Sequence, residues 1–158
     1  MIQLRRNSFG PIGVDIGSRS VKLLQLTADG SRVVDAVRCD LASNEGNDVR
    51  ERQAVIAAAI KKGRDGRAFR GRHAVLCLGS RELFVQNLRV PKTPGTEMQR
   101  LVEQEAAGKV PFPIGETDVR FIEAADVRQG DTIKREVILL ACHRPVLEQL
   151  LTAAAAAG

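Results

Sequence analysis

The chain has no tryptophan, no tyrosine and only five phenylalanines among its 158 residues. A core must therefore be built from Val, Ile, Leu and Ala, and the aromatic platforms on which single-stranded nucleic acid stacks are scarce. Cysteine is sparse too. Cys39, Cys77 and Cys142 stand far apart with no CxxC pair, so the spacing of a zinc site is absent. Each lies in a β-like apolar run, and buried free thiols in a reducing cytosol are the expectation. No apolar stretch approaches the roughly 18 residues of a bilayer span. The opening MIQLRRNSFG has arginines without an apolar segment after them, unlike a secretory signal. Also missing are the GxxxxGK[ST] loop, a GxGxxG after a strand and the GxSxG elbow, which argues against P-loop, Rossmann and α/β-hydrolase sites. There is no internal repeat.

What is present is a 44% hydrophobic chain, enough for one ordinary domain or two small ones. Its 24 basic and 19 acidic residues give a net charge of +5, which permits phosphates or acidic partners, although an arginine-rich proteome is the blander explanation. The stretch Gly63 to Arg72 (GRDGRAFRGR) is rich in glycine and arginine. It reads as a solvated connector, with phosphate or RNA binding through Arg64, Arg67, Arg70 and Arg72 as the rival reading.

Hydrophobic periodicity supplies the elements. Ile12, Val14 and Ile16 alternate as in a strand, Val21 to Leu26 continues after a Ser18-Arg19-Ser20 turn, and Asp29-Gly30 signals a hairpin into Arg32 to Leu41. Asn44, Gly46 and Asn47 mark a loop, and Asp48 with Glu51 resembles a helix cap. Val55, Ile56, Ala59 and Ile60 form one helical face, and Lys61-Lys62-Gly63 reads as that helix's C-terminus. His73 to Leu78 and Leu83 to Val90 are further strands, and Pro91, Pro94 and Gly95 break the chain. Thr96 to Gln99 fits a capping box, and Met98, Leu101, Val102 and Ala106 share a helical face that stops before Pro111 and Pro113. Thr117 to Ala125 and Thr132 to Cys142 read as a hairpin around Gly130, and Pro145 opens a last helix with Val146, Leu147, Leu150 and Leu151 on its apolar face. His73 and His143 lie at strand ends and read as structural residues.

The strongest chemical signal is Ile12-Gly13-Val14-Asp15-Ile16-Gly17-Ser18-Arg19-Ser20-Val21-Lys22. A tight turn without bulky side chains lets successive backbone N–H groups converge on phosphate oxygens. Gly17 permits close approach, and Ser18 and Ser20 add hydroxyl donors. Asp15 beside phosphates requires a cation, which points to Mg²⁺ held through water. A plain hairpin with an incidental aspartate is the competing reading.

The segment from Ile12 to Lys22 resembles the first phosphate motif of the actin/Hsp70/sugar-kinase superfamily, whose domain begins with a three-strand meander followed by a helix. Farther on, Val90-Pro91, Glu97, Leu101-Val102-Glu103-Gln104-Glu105-Ala106, Val110-Pro111-Phe112, Val119-Arg120-Phe121, Val137-Ile138-Leu139-Leu140-Ala141 and the alanine-rich end resemble one family within it. That family is the type IV pilus assembly protein PilM, a relative of the cell-division protein FtsA. The resemblance implies an α/β fold of mixed α+β sheets: the N-terminal lobe of an actin-like, RNase H-like ATPase fold with an inserted FtsA-type 1C-like subdomain. It implies part of subdomain 1A over 1–82 and a 1C-like module with a trailing helix over 83–158, the second lobe being missing. The family's second phosphate motif and adenosine motif are not found, so the chain reads as an N-terminal fragment or a short homologue.

By the same resemblance the function is that of an ATP-binding scaffold of a type IV pilus, or related type II secretion, assembly platform. It would sit in the cytoplasm at the inner-membrane face and bind the N-terminal peptide of a PilN-like membrane protein, with self-association left open and no specific nucleic acid. Asp15 would position Mg²⁺, while Gly17, Ser18, Arg19, Ser20 and Lys22 would meet the phosphates of ATP in an incomplete site. Arg19 is bulky for such a turn. Phe84, Val85, Leu88, Leu101, Val102, Phe112 and Phe121 are the candidate peptide groove, each weighed against plain core packing. A weak ATPase is left open for a full-length parent, and catalysis is not expected of this piece. The alternative is a sugar- or acetate-kinase-like enzyme of the same superfamily.

Overall fold

Alternating burial along the first strands builds the first sheet. In β1 (Phe9–Ile16), Ile12, Val14 and Ile16 are buried, and in β2 (Ser20–Thr27), Val21 and Leu23 are their counterparts. The two pair antiparallel, with Asp15 opposite Lys22 and Ile16 opposite Val21. The turn at Asp29-Gly30 is closed by Gly30 N–H to Thr27 O (2.8 Å), with Gly30 at φ 71°. It returns the chain into β3 (Val33–Asp40), antiparallel to β2. Then α1 (Val49–Arg64) carries the chain over to β4 (Ala74–Cys77), which lies parallel to β1. A parallel neighbour needs such a crossover, because a tight turn can only return a strand antiparallel. The sheet order is β3-β2-β1-β4, the three-strand meander and helix that the resemblance implied.

The second sheet comes from β5 (Leu83–Pro91), β6 (Thr117–Gln129) and β7 (Thr132–His143) in the order β5-β7-β6, all antiparallel. Gly130 turns the long β6–β7 hairpin at φ 60°. Between β5 and β6 lie α2 (Gly95–Ala107) and a short 3₁₀ turn at Ile114–Glu116, and α3 (Arg144–Ala156) closes the chain. The class is mixed α+β, as expected.

The structure is a computed structural model that describes residues 8–41, 49–93 and 95–158, the side chains of Val49 and Thr96 excepted. The expected loop of Asn44, Gly46 and Asn47, the caps formed by Asp48 and by the Thr96 side chain, and the break at Pro94 lie outside the described residues.

The chain divides into two units, Met1–Gly79 with Gln149–Gly158, and Ser80–Glu148. Sequence reading places a boundary at 82/83 and keeps the last helix with the second segment. Residues from Gln149 onward instead belong to the first unit, because Leu150 and Ala153 join Ile12, Val14, Ile16 and Leu23 in its core. Ile56, Ala59 and Ile60 of α1 and Phe69 complete that cluster. In the second unit, Leu88 and Val90 of β5, Met98, Val102 and Ala106 of α2, Val119 of β6, and Val137 and Leu139 of β7 form a separate core. Each fully buried aliphatic side chain stabilises its unit by about 1.5–3 kcal/mol relative to exposure.

Two local readings are corrected. Gly63 does not follow α1 but lies inside its last turn, buried. A Cβ there would come within 3.0 Å of Cys39 Sγ and 3.1 Å of Leu23 Cδ1, so the glycine serves close approach, while Gly66 takes the positive φ of 66° beyond the helix. The thiols are free but not all buried: Cys142 is buried, Cys39 half-buried and Cys77 exposed. Burial, reinforced by Asp118 and Glu82, pushes the Cys142 thiol above its usual range.

Candidate functional site

The β1–β2 connection brings the six candidate phosphate residues together. Since Ile12, Val14 and Ile16 face the core, Asp15 points to the opposite face of the sheet. Lys22, its register partner, points the same way, and Lys22 Nζ donates to Asp15 Oδ2 at 2.7 Å. With side chains 54% and 45% exposed, this pair contributes at most about 1 kcal/mol to stability, and its two groups remain open to solvent. The turn itself is closed by Gly17 N–H donating to Ser20 O (2.9 Å), and Arg19 O accepts from Leu41 N–H (2.9 Å). A Cβ at Gly17 would lie 3.1 Å from Ser20 O, so the residue is held by close approach, not by φ.

This corrects one detail of the sequence reading. The Gly17 N–H is committed to Ser20 and is not free for a phosphate. Ser18 and Arg19 are exposed, and their backbone N–H groups donate to no acceptor among the described residues. Ser20 is buried. Among the described residues no group of three or more His, Cys, Asp and Glu side chains gathers to hold a metal. An ion at Asp15 would therefore be completed by phosphate oxygens and water, which suits Mg²⁺, a cation reluctant to lose its hydration. The turn thus offers the free Ser18 and Arg19 N–H donors, the half-exposed Asp15 carboxylate and the Lys22 ammonium paired with it.

The candidate groove residues, all in the second unit, are not on one surface. Leu88 and Val102 are core residues, 4% and 0% exposed. They lie beneath the sheet–helix contact and offer no surface to a peptide. Phe84 and Phe121 pack half-buried against the same cluster. Leu101 is half-buried on α2, and Phe112 stacks on the His143 ring, centroids 5.2 Å apart. His143 in turn meets Glu116 Oε2 at 3.1 Å, in keeping with a structural histidine. Val85 is opposite Leu140 and so sits on the other face of the sheet from Phe84 and Leu88. There, exposed Val85 and Ile122 flank Leu140 and Ile138, an apolar surface that sequence reasoning missed. Its signal was in the run Val137-Ile138-Leu139-Leu140-Ala141, which is apolar at both parities, as in strands covered on two faces.

Sequence reasoning also missed Gln25. It occupies the core parity of β2 and is 1% exposed. Its Nε2 donates to Gly10 O and Arg70 O, each at 2.8 Å, and its Oε1 accepts from Arg70 N–H at 2.7 Å. A glutamine at a core position of an alternating strand is itself the clue, since a buried amide must find partners.

The comparisons with known proteins fit this architecture. The family described as type IV pilus assembly protein PilM matches residues 13–158. The chain belongs to the PilM family. Among solved structures, a PilM-PilN type IV pilus biogenesis complex aligns with a TM-score of 0.76 at 24% identity, covering 94% of this chain and 44% of that one. The cytoplasmic domain of EpsL, an inner-membrane component of the type II secretion system of Vibrio cholerae, aligns with a TM-score of 0.55 at 15% identity, covering 93% and 52%. This PilM-family chain thus spans about half the length of the solved structures it resembles. No curated protein matches it.

Proposed function

We propose that this chain works as a PilM-type cytoplasmic scaffold at the inner-membrane face, in a type IV pilus or type II secretion assembly platform. Membership of the PilM family over residues 13–158 carries the reading. In this reading the unit of residues 1–79 and 149–158 acts as part of an actin-like subdomain 1A, the unit of residues 80–148 as a 1C-like module, and a further lobe completes the nucleotide site. Among the described residues no helix is long and apolar enough to cross a membrane, and a membrane-protein partner would tether the chain.

That partner is a PilN-like membrane protein, held by its short N-terminal cytoplasmic peptide. The half-exposed Phe84, Leu101, Phe112 and Phe121, and exposed Val85 on the other face, are the side chains available to it. The test is calorimetric titration of this chain with the N-terminal peptide of its PilN-like partner. Saturable binding that Val85→Asp or Phe112→Ala weakens supports the reading. A silent titration, or turnover of a small phospho-acceptor by the parent protein, would sink it in favour of a kinase.

The same reading assigns Mg-ATP to the β1–β2 turn. Asp15 would orient the magnesium through water, Ser18 and Arg19 would present backbone donors, Ser20 would support the turn and Lys22 would turn from Asp15 toward a phosphate. Bound there, the ion would neutralise phosphate charge. Asp15→Ala in the parent is expected to weaken Mg-ATP binding about 10–100-fold with the melting temperature unchanged. Undiminished affinity and Mg²⁺ dependence in calorimetry would refute the assignment.

A further inference from the structure

Residues 61–72 carry six cations and one acid, whereas the other 146 residues carry eighteen of each. The whole net charge of +5 therefore resides in twelve consecutive residues. They form the last turn of α1 and the connection to β4, entirely within the first unit. Cations suit a helix C-terminus, whose exposed carbonyls carry partial negative charge, but a local helix preference does not account for the arginines beyond Gly66.

The connection is fixed in place. Gln25 clasps the Arg70 backbone, Asp35 Oδ2 accepts the Ala68 N–H at 2.8 Å, and Arg67 donates to Ala36 O at 2.7 Å while facing Asp35 at 3.5 Å. Arg64 donates to Gly71 O at 3.2 Å and to Gly158 O. Arg64 and Arg67 thus act as internal struts. Lys61, Lys62, Arg70 and Arg72 are exposed, and among the described residues their side chains have no acid partner. Lys61, Lys62 and Arg64 border an open hollow of about 670 Å³ together with Asp65 and Phe69.

We propose that this stretch is a docking surface for an anionic phospholipid bilayer, its free cations meeting headgroup phosphates. Charge complementarity argues for it: a cluster of Lys and Arg is attracted to a negatively charged leaflet, each cation near the surface adding about 1 kcal/mol. Nucleic acid is the less fitting occupant. The one aromatic of the stretch, Phe69, is buried in the core and offers no stacking face. The inference rests on the scaffold reading for the membrane that the protein would meet.

The test is co-sedimentation of the whole chain with vesicles of phosphatidylcholine alone or mixed equally with phosphatidylglycerol, at about 0.1 M salt. Binding to the anionic vesicles only is expected. Lys61→Gln with Lys62→Gln, Arg70→Gln and Arg72→Gln should lower the partition coefficient at least about tenfold. Removing as many cations elsewhere, at Arg32, Arg81, Arg100 and Lys109, should change it less than about twofold. If the first variant does not fold, Lys61→Gln with Lys62→Gln alone should still lower binding clearly more than Arg81→Gln with Arg100→Gln. Equal losses in the two sets, equal binding to neutral vesicles, or tighter binding per phosphate to duplex DNA or RNA would overturn the proposal. Peptide capture without vesicle binding removes this inference alone, and vesicle binding without peptide capture upholds it and removes the scaffold reading.

Discussion

Gly63 shows how one hydrogen atom sets the spacing between a helix and a sheet. A methyl group in its place would sit 3.0 Å from Cys39 Sγ, 3.1 Å from Leu23 Cδ1 and 3.4 Å from Val37 Cγ1, so any side chain there presses on a packed core. Gly63→Val is expected to destabilise the first unit by about 1–3 kcal/mol, since overpacking forces its neighbours to shift. Denaturant midpoints measure this, and an unchanged midpoint would show that the α1 contact yields freely. In the sequence, Lys61-Lys62-Gly63 has the form of a helix end, because glycine serves both close packing and positive φ and a single sequence does not separate the two uses. Asp29 is a second residue whose surroundings set its chemistry. The Thr27 hydroxyl first, then the Ser31 N–H and hydroxyl, lower its pKa from 3.8 to about 2. Because the folded value lies below the unfolded one, its stabilisation is complete above about pH 3.8 and is lost as the pH falls toward 2. Thr27→Val removes the leading donor, so an NMR titration should find the Asp29 pKa moved back toward 3.8, with less acid dependence in that window.

At the scale of elements, the connection between α1 and β4 depends on Gln25. Its amide satisfies both backbone groups of Arg70 and the Gly10 carbonyl. Gln25→Leu keeps the bulk but leaves those groups without partners, at an expected cost of about 2–3 kcal/mol. Hydrogen exchange should show the loss first at the amides of residues 68–72. Protection there equal to the parent's would mean that Asp35 and Arg67 hold the connection without the clasp. The strands were legible because Ile12, Val14 and Ile16 alternate in β1, Val21 and Leu23 in β2, and the Asp29-Gly30 and Gly130 turns punctuate the pattern. The order of the connection was not legible. Gly63 to Arg72 has the composition of a loose loop, and the groups that fix it, Gln25 and Asp35, lie 45 and 33 residues from the backbone they bind. The β1–β2 turn was legible for the related reason that its residues are consecutive. The proposed groove was not, since apolar residues at either parity of β5 and β6 look alike until a helix covers one face. Leu88 and Val102 then fall inside, and Val85 and Ile122 outside.

At the scale of the whole molecule, α3 is shared. Its residues up to Glu148 belong to the second unit and those from Gln149 to the first, where Leu150 and Ala153 are buried. A helix divided in this way gives each unit its own core while making the first one depend on residues late in the chain. Leu150→Ala trims a buried isobutyl side chain to a methyl and leaves a cavity, which should cost about 2–5 kcal/mol. The loss should be local, because the second core rests on Leu88, Val90, Met98, Val102, Ala106, Val119, Val137 and Leu139, none of which belongs to the cluster around Leu150. Hydrogen exchange is thus expected to lose protection across β1, β2 and α1 while β5, β6 and β7 keep theirs. Val137→Ala should produce the converse pattern. If either variant lowers protection equally in both sets of strands, the units unfold as one cooperative body and the separation of the two cores has no energetic counterpart.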